Sequence, residues 1–194
     1  GNVIAIAQTS LLRMLAYSAI SNAGFVLLGF ASGTGGGYSA SLYYTFAYVL
    51  TTVGAFAVVL IASREGCEAT ELDQYKGLHQ RDPLLAGAMA AVMFSTAGVP
   101  PFIGFWAKLQ IIQALLGSGH LALAIIAVVA SVIGAFYYLR VVWLMYFEAP
   151  SEQPALASAT GMRLVLAVNA LAVLALGIVP EQLLALCRQV IPGG

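Results

Sequence analysis

The sequence predicts an all-α fold, a polytopic transmembrane helical bundle, on three observations. Hydrophobic residues fill 61% of the 194 positions and charged residues only 8%, with a mean hydropathy of +0.93, far beyond a soluble domain of this length. Apolar stretches long enough to cross a lipid core recur along the chain. The segments that join them are short and rich in glycine or proline. The same composition excludes some functions. Eight Lys and Arg balance eight Asp and Glu, so the basic excess that nucleic-acid binding requires is missing. Cys67 and Cys187 show no CxxC spacing and no clustering with histidine. The topology below puts them on opposite sides of the membrane, so neither a metal site nor a disulfide is expected.

Taken in order, residues 1–9 read as the end of an apolar helix that starts upstream, without the n-region or cleavage site of a signal peptide. The chain is therefore expected to be the C-terminal part of a longer protein, with 1–194 a single transmembrane domain. A span needs about 20 mostly apolar residues, and 14–31, 43–62, 121–147 and 162–179 each supply them. A fifth stretch, 84–116, would rise about 50 Å as one straight helix, so it is expected to be broken, near 98–104. The connections 32–39, 117–119 and 149–161 read as turns. The one substantial polar stretch, 63–82, holds Glu65, Glu68, Glu71, Asp73, Lys76, His79, Arg81 and Asp82.

Five crossings put Arg13, Arg64, Lys76, Arg81, Arg140 and Arg163 at or near one face, Arg188 at the other, and Lys108 inside the membrane. The positive-inside rule makes the first face cytoplasmic. The 63–82 loop is then cytoplasmic and the C-terminus periplasmic, in a multi-pass bacterial inner-membrane protein. Trp143, Tyr146 and Phe147 fall at the cytoplasmic end of their span, where an aromatic belt is expected.

The fifth span carries the most information. Gly98, Pro100, Pro101 and Gly104 remove two backbone donors and permit irregular dihedrals, so the helix is expected to be interrupted there. Interrupted backbone at membrane depth must face protein or a watery cavity. Lys108 follows Pro101 by about two turns. A cation inserted at the centre of a span costs about 2.5–3.5 kcal/mol. Shielding from water penalises the ammonium relative to the amine, so Lys108 reads as a proton-relay site. The alternative is that its (CH₂)₄ stem snorkels to the outer headgroups. Every acid lies at or beyond a span end, among them Glu148, Glu152 and Glu181. A counter-charge for Lys108 must come from water, from upstream sequence or from another subunit.

Tyr44, Tyr48 and Thr52 follow one another at i, i+4 and i+8, a hydroxyl stripe that could hold water in the bundle interior. Packing and interhelical hydrogen bonding is the other reading of such a stripe. Arg140 is expected to snorkel or to form a structural ion pair. His79 and His120 are expected in solvated loops, and Ser21, Asn22 and Asn169 in ordinary interhelical contacts. Ser95 and Lys108 lack a recognised dyad spacing, which leaves an intramembrane hydrolase with little support.

Several motifs together carry a family resemblance. Gln8-Thr9-Ser10-Leu11-Leu12-Arg13-Met14-Leu15-Ala16-Tyr17-Ser18, Gly54-Ala55-Phe56, Leu72-Asp73-Gln74-Tyr75-Lys76-Gly77-Leu78, 97–108 and Gly134-Ala135-Phe136-Tyr137-Tyr138-Leu139-Arg140 resemble the subunit N family of bacterial NADH-quinone oxidoreductase, respiratory complex I, along the whole chain. The resemblance implies an antiporter-like fold of fourteen spans with two inverted five-helix repeats, each with one broken helix. This chain would run from the end of the ninth span through the fourteenth, holding most of the second inverted repeat, with its one discontinuous helix, and the final helix. It implies proton translocation, with Lys108 at the lysine position of the second broken helix, coupled to quinone reduction elsewhere in the complex. NADH, FMN, iron-sulfur clusters and quinone are then expected in partner subunits, and none in this chain, which has no GxGxxG and no cysteine cluster. The implied partners are other membrane subunits, neighbouring antiporter-like subunits included. Two departures stand out. Leu12 replaces the lysine usual before the arginine, and Tyr44, Tyr48 and Thr52 stand where related subunits carry histidine and lysine. The rivals are a subunit of a multi-subunit cation/proton antiporter or membrane-bound hydrogenase, and a structural membrane subunit.

Overall fold

The computed structural model describes residues 1–63, 69–150 and 160–191. Its helices are Asn2–Ile6 (α1), Leu11–Ala31 (α2), Gly35–Ala62 (α3), Leu78–Arg81 (α4), Pro83–Ala97 (α5), Ile103–Gly117 (α6), Leu121–Phe147 (α7), Thr160–Ile178 (α8) and Glu181–Val190 (α9). A 3₁₀ turn, Leu72–Tyr75, precedes α4. The helices α2, α3, α7 and α8 are long and apolar enough to cross a membrane. Neither α5 nor α6 is, at 15 residues each. They are the two halves of one discontinuous helix, and their near ends touch, the Gly104 amide of α6 donating to Ser95 Oγ of α5.

Local chemistry sets the ends. Ser10, Thr34 and Asp82 stand at the N-caps of α2, α3 and α5, each accepting from an amide in the first turn, where helix amides lack intrahelical partners. Pro83 occupies the first turn of α5, where its missing N–H is harmless. Gly98, at φ +88°, ends α5. Its amide and that of Val99 fold back onto the carbonyl of Phe94, at 3.1 and 2.9 Å, a termination that favours glycine.

Two expectations are revised. The Gly-rich turn is only three residues long, because Gly35, Gly36 and Gly37 already belong to α3. Glycine disfavours helix in water, but here it lets α3 pack tightly on the end of α2: a Cβ on Gly29 would come within 2.8 Å of the Gly37 carbonyl. The interruption spans 98–102, and Gly104 lies inside α6. After α8 the chain forms α9, whose apolar Leu183, Leu184, Cys187 and Val190 recur at helical spacing among polar residues.

Two apolar clusters form the core. One, with Leu11, Met14, Val58, Met89, Val141 and Leu166 among its members, lies toward the face that carries most of the charges. The other gathers Phe25, Tyr43, Ile103, Ile111, Val173 and Leu184 toward the opposite face. Ala97 belongs to the first and Phe25 to the second. Lys108 touches both residues, so it sits where the two clusters meet.

Candidate functional site

The site starts from the helix end. An α-helix leaves its last carbonyls without intrahelical partners, and the interruption after Ala97 exposes one of them inside the bundle. Lys108 Nζ donates to that Ala97 carbonyl at 3.0 Å and to Ser131 Oγ, on α7, at 3.0 Å. The lysine is only 7% exposed. Its stem crosses Gly98, where an added Cβ would stand 3.0 Å from Lys108 Cδ. The amine also lies 5.5 Å from the centre of the Phe25 ring, a face that attracts a cation. The side chain points inward between helices, not toward headgroups.

This arrangement accommodates both forms of the amine. An ammonium has three donors, two of which are used here, with the ring beyond. A neutral amine keeps both bonds and gains a free lone pair. Two small cavities, each about 10 Å³ and so roomy enough for about one water, flank the group. Tyr44, Tyr48, Thr51 and Ser95 line the first; Asn2, Ser21, Ser131 and Tyr138 line the second; Asn22 and Lys108 line both.

Asn22 is the residue that the sequence undervalued. Its Oδ1 accepts from Tyr44 Oη at 2.8 Å, while its Nδ2 donates to the Ser18 carbonyl at 2.8 Å and to Tyr138 Oη at 3.3 Å. Tyr44 stacks on Phe25 with 5.5 Å between ring centres. Next to it on α7, Tyr137 Oη donates to Asn2 Oδ1 at 2.9 Å, and Asn2 Nδ2 donates to the Ala130 carbonyl at 2.6 Å. A polar path thus runs through the bundle from α3 by way of α2 to α7, with a second polar contact from α7 to α1. A lone asparagine in an apolar stretch reads as a routine contact, and its three partners lie on separate turns and helices.

The hydroxyl stripe is rearranged by one position. Tyr44 and Tyr48 face the first cavity, but Thr52 turns toward a groove with Leu15, Ala16 and Phe56, and Thr51 takes its place. The reason is angular: at 3.6 residues per turn, position i+7 lies about 20° from i, whereas i+8 lies about 80° away.

Other residues have structural roles. Ser95 Oγ accepts from the Gly104 amide at 3.1 Å, which occupies the hydroxyl as a helix clamp. Arg140 forms no ion pair among the described residues: its Nη1 donates to the carbonyls of Ile6 and Gln8, at 3.2 and 3.4 Å, closing the exposed end of α1. His79 is half-buried: it packs 5.2 Å from the Tyr146 ring, with Nδ1 shielded from water. His120 is exposed and meets Ser118 Oγ at 2.9 Å. Asn169 Nδ2 donates to the Leu50 carbonyl at 3.0 Å. Leu12 packs against the first apolar cluster.

Among the described residues, the ion pairs are Lys76 with Asp73, at 2.9 Å, and Arg163 with Asp82. The first is exposed, and the carboxylate hydrogen-bonded to Lys76 raises the pKa of its amine. The second joins the start of α5 to the start of α8. Neither approaches Lys108, and no group of three or more metal-ligating side chains occurs among the described residues. Arg64, Glu65, Cys67, Glu68, Glu152 and Pro154 lie outside the described residues.

Comparison with known proteins places this geometry. The family described as NADH:quinone oxidoreductase/Mrp antiporter, transmembrane, matches residues 1–134. NADH-quinone oxidoreductase subunit N of Nitrosomonas europaea is 50% identical over 186 residues, which cover 96% of this chain and 39% of that protein. The chain thus spans about two fifths of the length of this curated relative. A chain of respiratory complex I from Thermus thermophilus with bound aureothin superposes with a TM-score of 0.83 at 32% identity, over 95% of this chain and 42% of that one. A chain of an archaeal membrane-bound sulfane sulfur reductase superposes with a TM-score of 0.86 at 27% identity, over 97% and 38% of the two chains. An all-α bundle with one interrupted crossing, matched over most of its length in sequence and in shape, makes this chain a member of the NADH:quinone oxidoreductase/Mrp antiporter family of transmembrane proteins, with an antiporter-like fold.

Proposed function

We propose that the intact protein is a proton-translocating membrane subunit of an NADH-quinone oxidoreductase, and that Lys108 is its relay group in this part of the chain. The observation that carries the reading is a buried amine held by the orphan carbonyl of an interrupted helix and by Ser131, between two water-sized cavities. Such a group can gain a proton from one side and lose it to the other. Tyr44 and Tyr48, with Asn22 and Thr51, supply hydroxyls and an amide that can hold the relaying water on one flank. Thr52 joins them through the neighbouring groove that it shares with Tyr48 and Thr51.

Moving one proton against 100 mV requires about 2.3 kcal/mol, so the relay must alternate its access and cannot be a permanently open wire. The driving reaction, with NADH, FMN, iron-sulfur clusters and quinone, belongs to partner subunits, and this chain contributes no redox chemistry. Its neighbours are other membrane subunits, antiporter-like ones included, in the bacterial inner membrane. The 63–82 loop faces the cytoplasm and the C-terminus the periplasm. The test is Lys108→Ala in the full-length subunit. Assembly of the complex is retained while protons pumped per electron fall; pumping equal to the parent rejects the relay.

The family description also names Mrp antiporters, which keeps a cation/proton antiporter subunit as a second reading. Transport by the full-length protein that depends on sodium or potassium selects it; independence from both selects the oxidoreductase.

A further inference from the structure

The end of α8 grips the interrupted crossing. Trp106 Nε1 donates to the Gly177 carbonyl at 2.8 Å. That carbonyl lies in the last turn of α8, where no intrahelical amide is available to it, and leaving it unpaired away from water is costly. Gly177 is also tightly enclosed: an added Cβ would lie 2.5 Å from the Phe102 carbonyl carbon and 2.6 Å from the Ile103 amide nitrogen. Only glycine lets the backbone of α8 reach the main chain where α6 begins.

Trp106 belongs to the first turn of α6, two residues before Lys108. Its bond to α8 fixes the rotation and height of the turn that carries the amine. On the other side, Ser95 of α5 holds the Gly104 amide, so the start of α6 is clamped between two helices. The amine in turn needs acceptors on two different helices, α5 and α7. A rotation of α6 would draw it away from both.

We propose that Trp106 and Gly177 are positioning residues, a latch by which α8 holds the interrupted helix in the register that sets Lys108 against Ala97 and Ser131. The proposal rests on the relay reading above. It assigns to α8 the means of switching that relay, because a shift of α8 along its axis moves the turn that carries the lysine. Tyr44, Tyr48, Tyr137 and Tyr138 are the titratable groups lining the flanking cavities. No charged side chain among the described residues is hydrogen-bonded to the amine.

The experiment compares Trp106→Phe, Trp106→His and Lys108→Met in the full-length subunit within the assembled complex, with Trp143→Phe as control, since that ring is 57% exposed on α7. Trp106→Phe keeps an aromatic ring and removes the donor. It lowers protons pumped per electron toward the level of Lys108→Met, because the register held by one hydrogen bond is lost, and moves the pH at which pumping is half-maximal. Trp143→Phe changes neither. Trp106→His restores a ring N–H and recovers pumping. Unchanged pumping in Trp106→Phe overturns the latch. So does a loss with an unaltered pH profile, or a loss of assembly that Trp106→His fails to rescue, since both mark a merely structural tryptophan. Pumping in Lys108→Met equal to the parent overturns the relay reading itself, whatever the tryptophan variants do.

Discussion

At the scale of single residues, the polar side chains inside this bundle matter through the partner each leaves behind when removed. Asn22 accepts from Tyr44, which is 3% exposed. Asn22→Leu buries that hydroxyl without an acceptor, at a cost of about 1–3 kcal/mol. The variant is expected to lose thermal resistance in detergent and to pump less than the parent but more than Lys108→Ala, measured as protons per electron in vesicles. Pumping at parental level would remove Asn22 from the relay. Asp82 has two tasks: it caps α5 through the Leu85 amide at 3.1 Å and pairs with Arg163 on α8. Loss of a cap costs about 1 kcal/mol, and an ion pair whose arginine is 33% exposed adds at most about as much again. Asp82→Ala is therefore expected to lower the midpoint of thermal inactivation more than Asp82→Asn, which keeps the capping oxygen. Equal midpoints would show that the cap contributes nothing.

At the scale of elements, the fifth crossing works because its two halves touch at their ends. Gly104 lets α6 come down on Ser95: a Cβ at that position would lie 2.7 Å from the Ser95 carbonyl carbon. Gly104→Ala must push α6 off α5, an overpacking cost of about 1–3 kcal/mol, and it also disturbs the hydrogen bond between Ser95 and the Gly104 amide. Lower accumulation of the subunit in membranes is expected, with impaired pumping in whatever assembles. Gly117→Ala, where an added Cβ meets nothing within 4 Å, is the matched control and is expected to behave as the parent. If both variants behave alike, the α5–α6 contact does not set the crossing.

At the scale of the whole molecule, the outward faces of the long helices are apolar, with Leu27 65%, Val132 68% and Leu164 66% exposed. A face of this kind fits hydrocarbon, in which backbone polar groups must be satisfied internally, and the interrupted backbone accordingly sits inside the bundle. Val132→Arg places a cation on that face near the middle of α7. It is expected to raise the insertion free energy by about 2.5–3.5 kcal/mol and to reduce the inserted fraction in a membrane-insertion assay. Insertion at the parental level would mean that this face meets water or a polar partner. The orientation is checked with a cysteine at the 82%-exposed Asp73 side chain. In an Asp73→Cys variant in which the native Cys67 and Cys187 are replaced by serine, a membrane-impermeant thiol reagent is expected to label inside-out vesicles and to leave intact cells unlabelled, and the reverse pattern would invert the topology.

Composition and backbone chemistry alone determined that the chain is a helical membrane bundle, that its fifth crossing is interrupted, and that a single lysine lies inside it. These are local properties: hydropathy sets the solvent, and prolines and glycines set where a helix ends, whatever surrounds them. What accepts hydrogen bonds from the amine was decided only by the tertiary structure. Ala97 and Ser131 as acceptors, Asn22 at the junction of two cavities, Thr51 in place of Thr52, and α8 closing on the interruption all depend on how the helices are rotated and shifted against one another. A helix that is apolar on every side carries little periodic signal for that rotation. Between lipid-embedded helices, close packing and a few hydrogen bonds choose the contact face, because burying apolar surface gains little there.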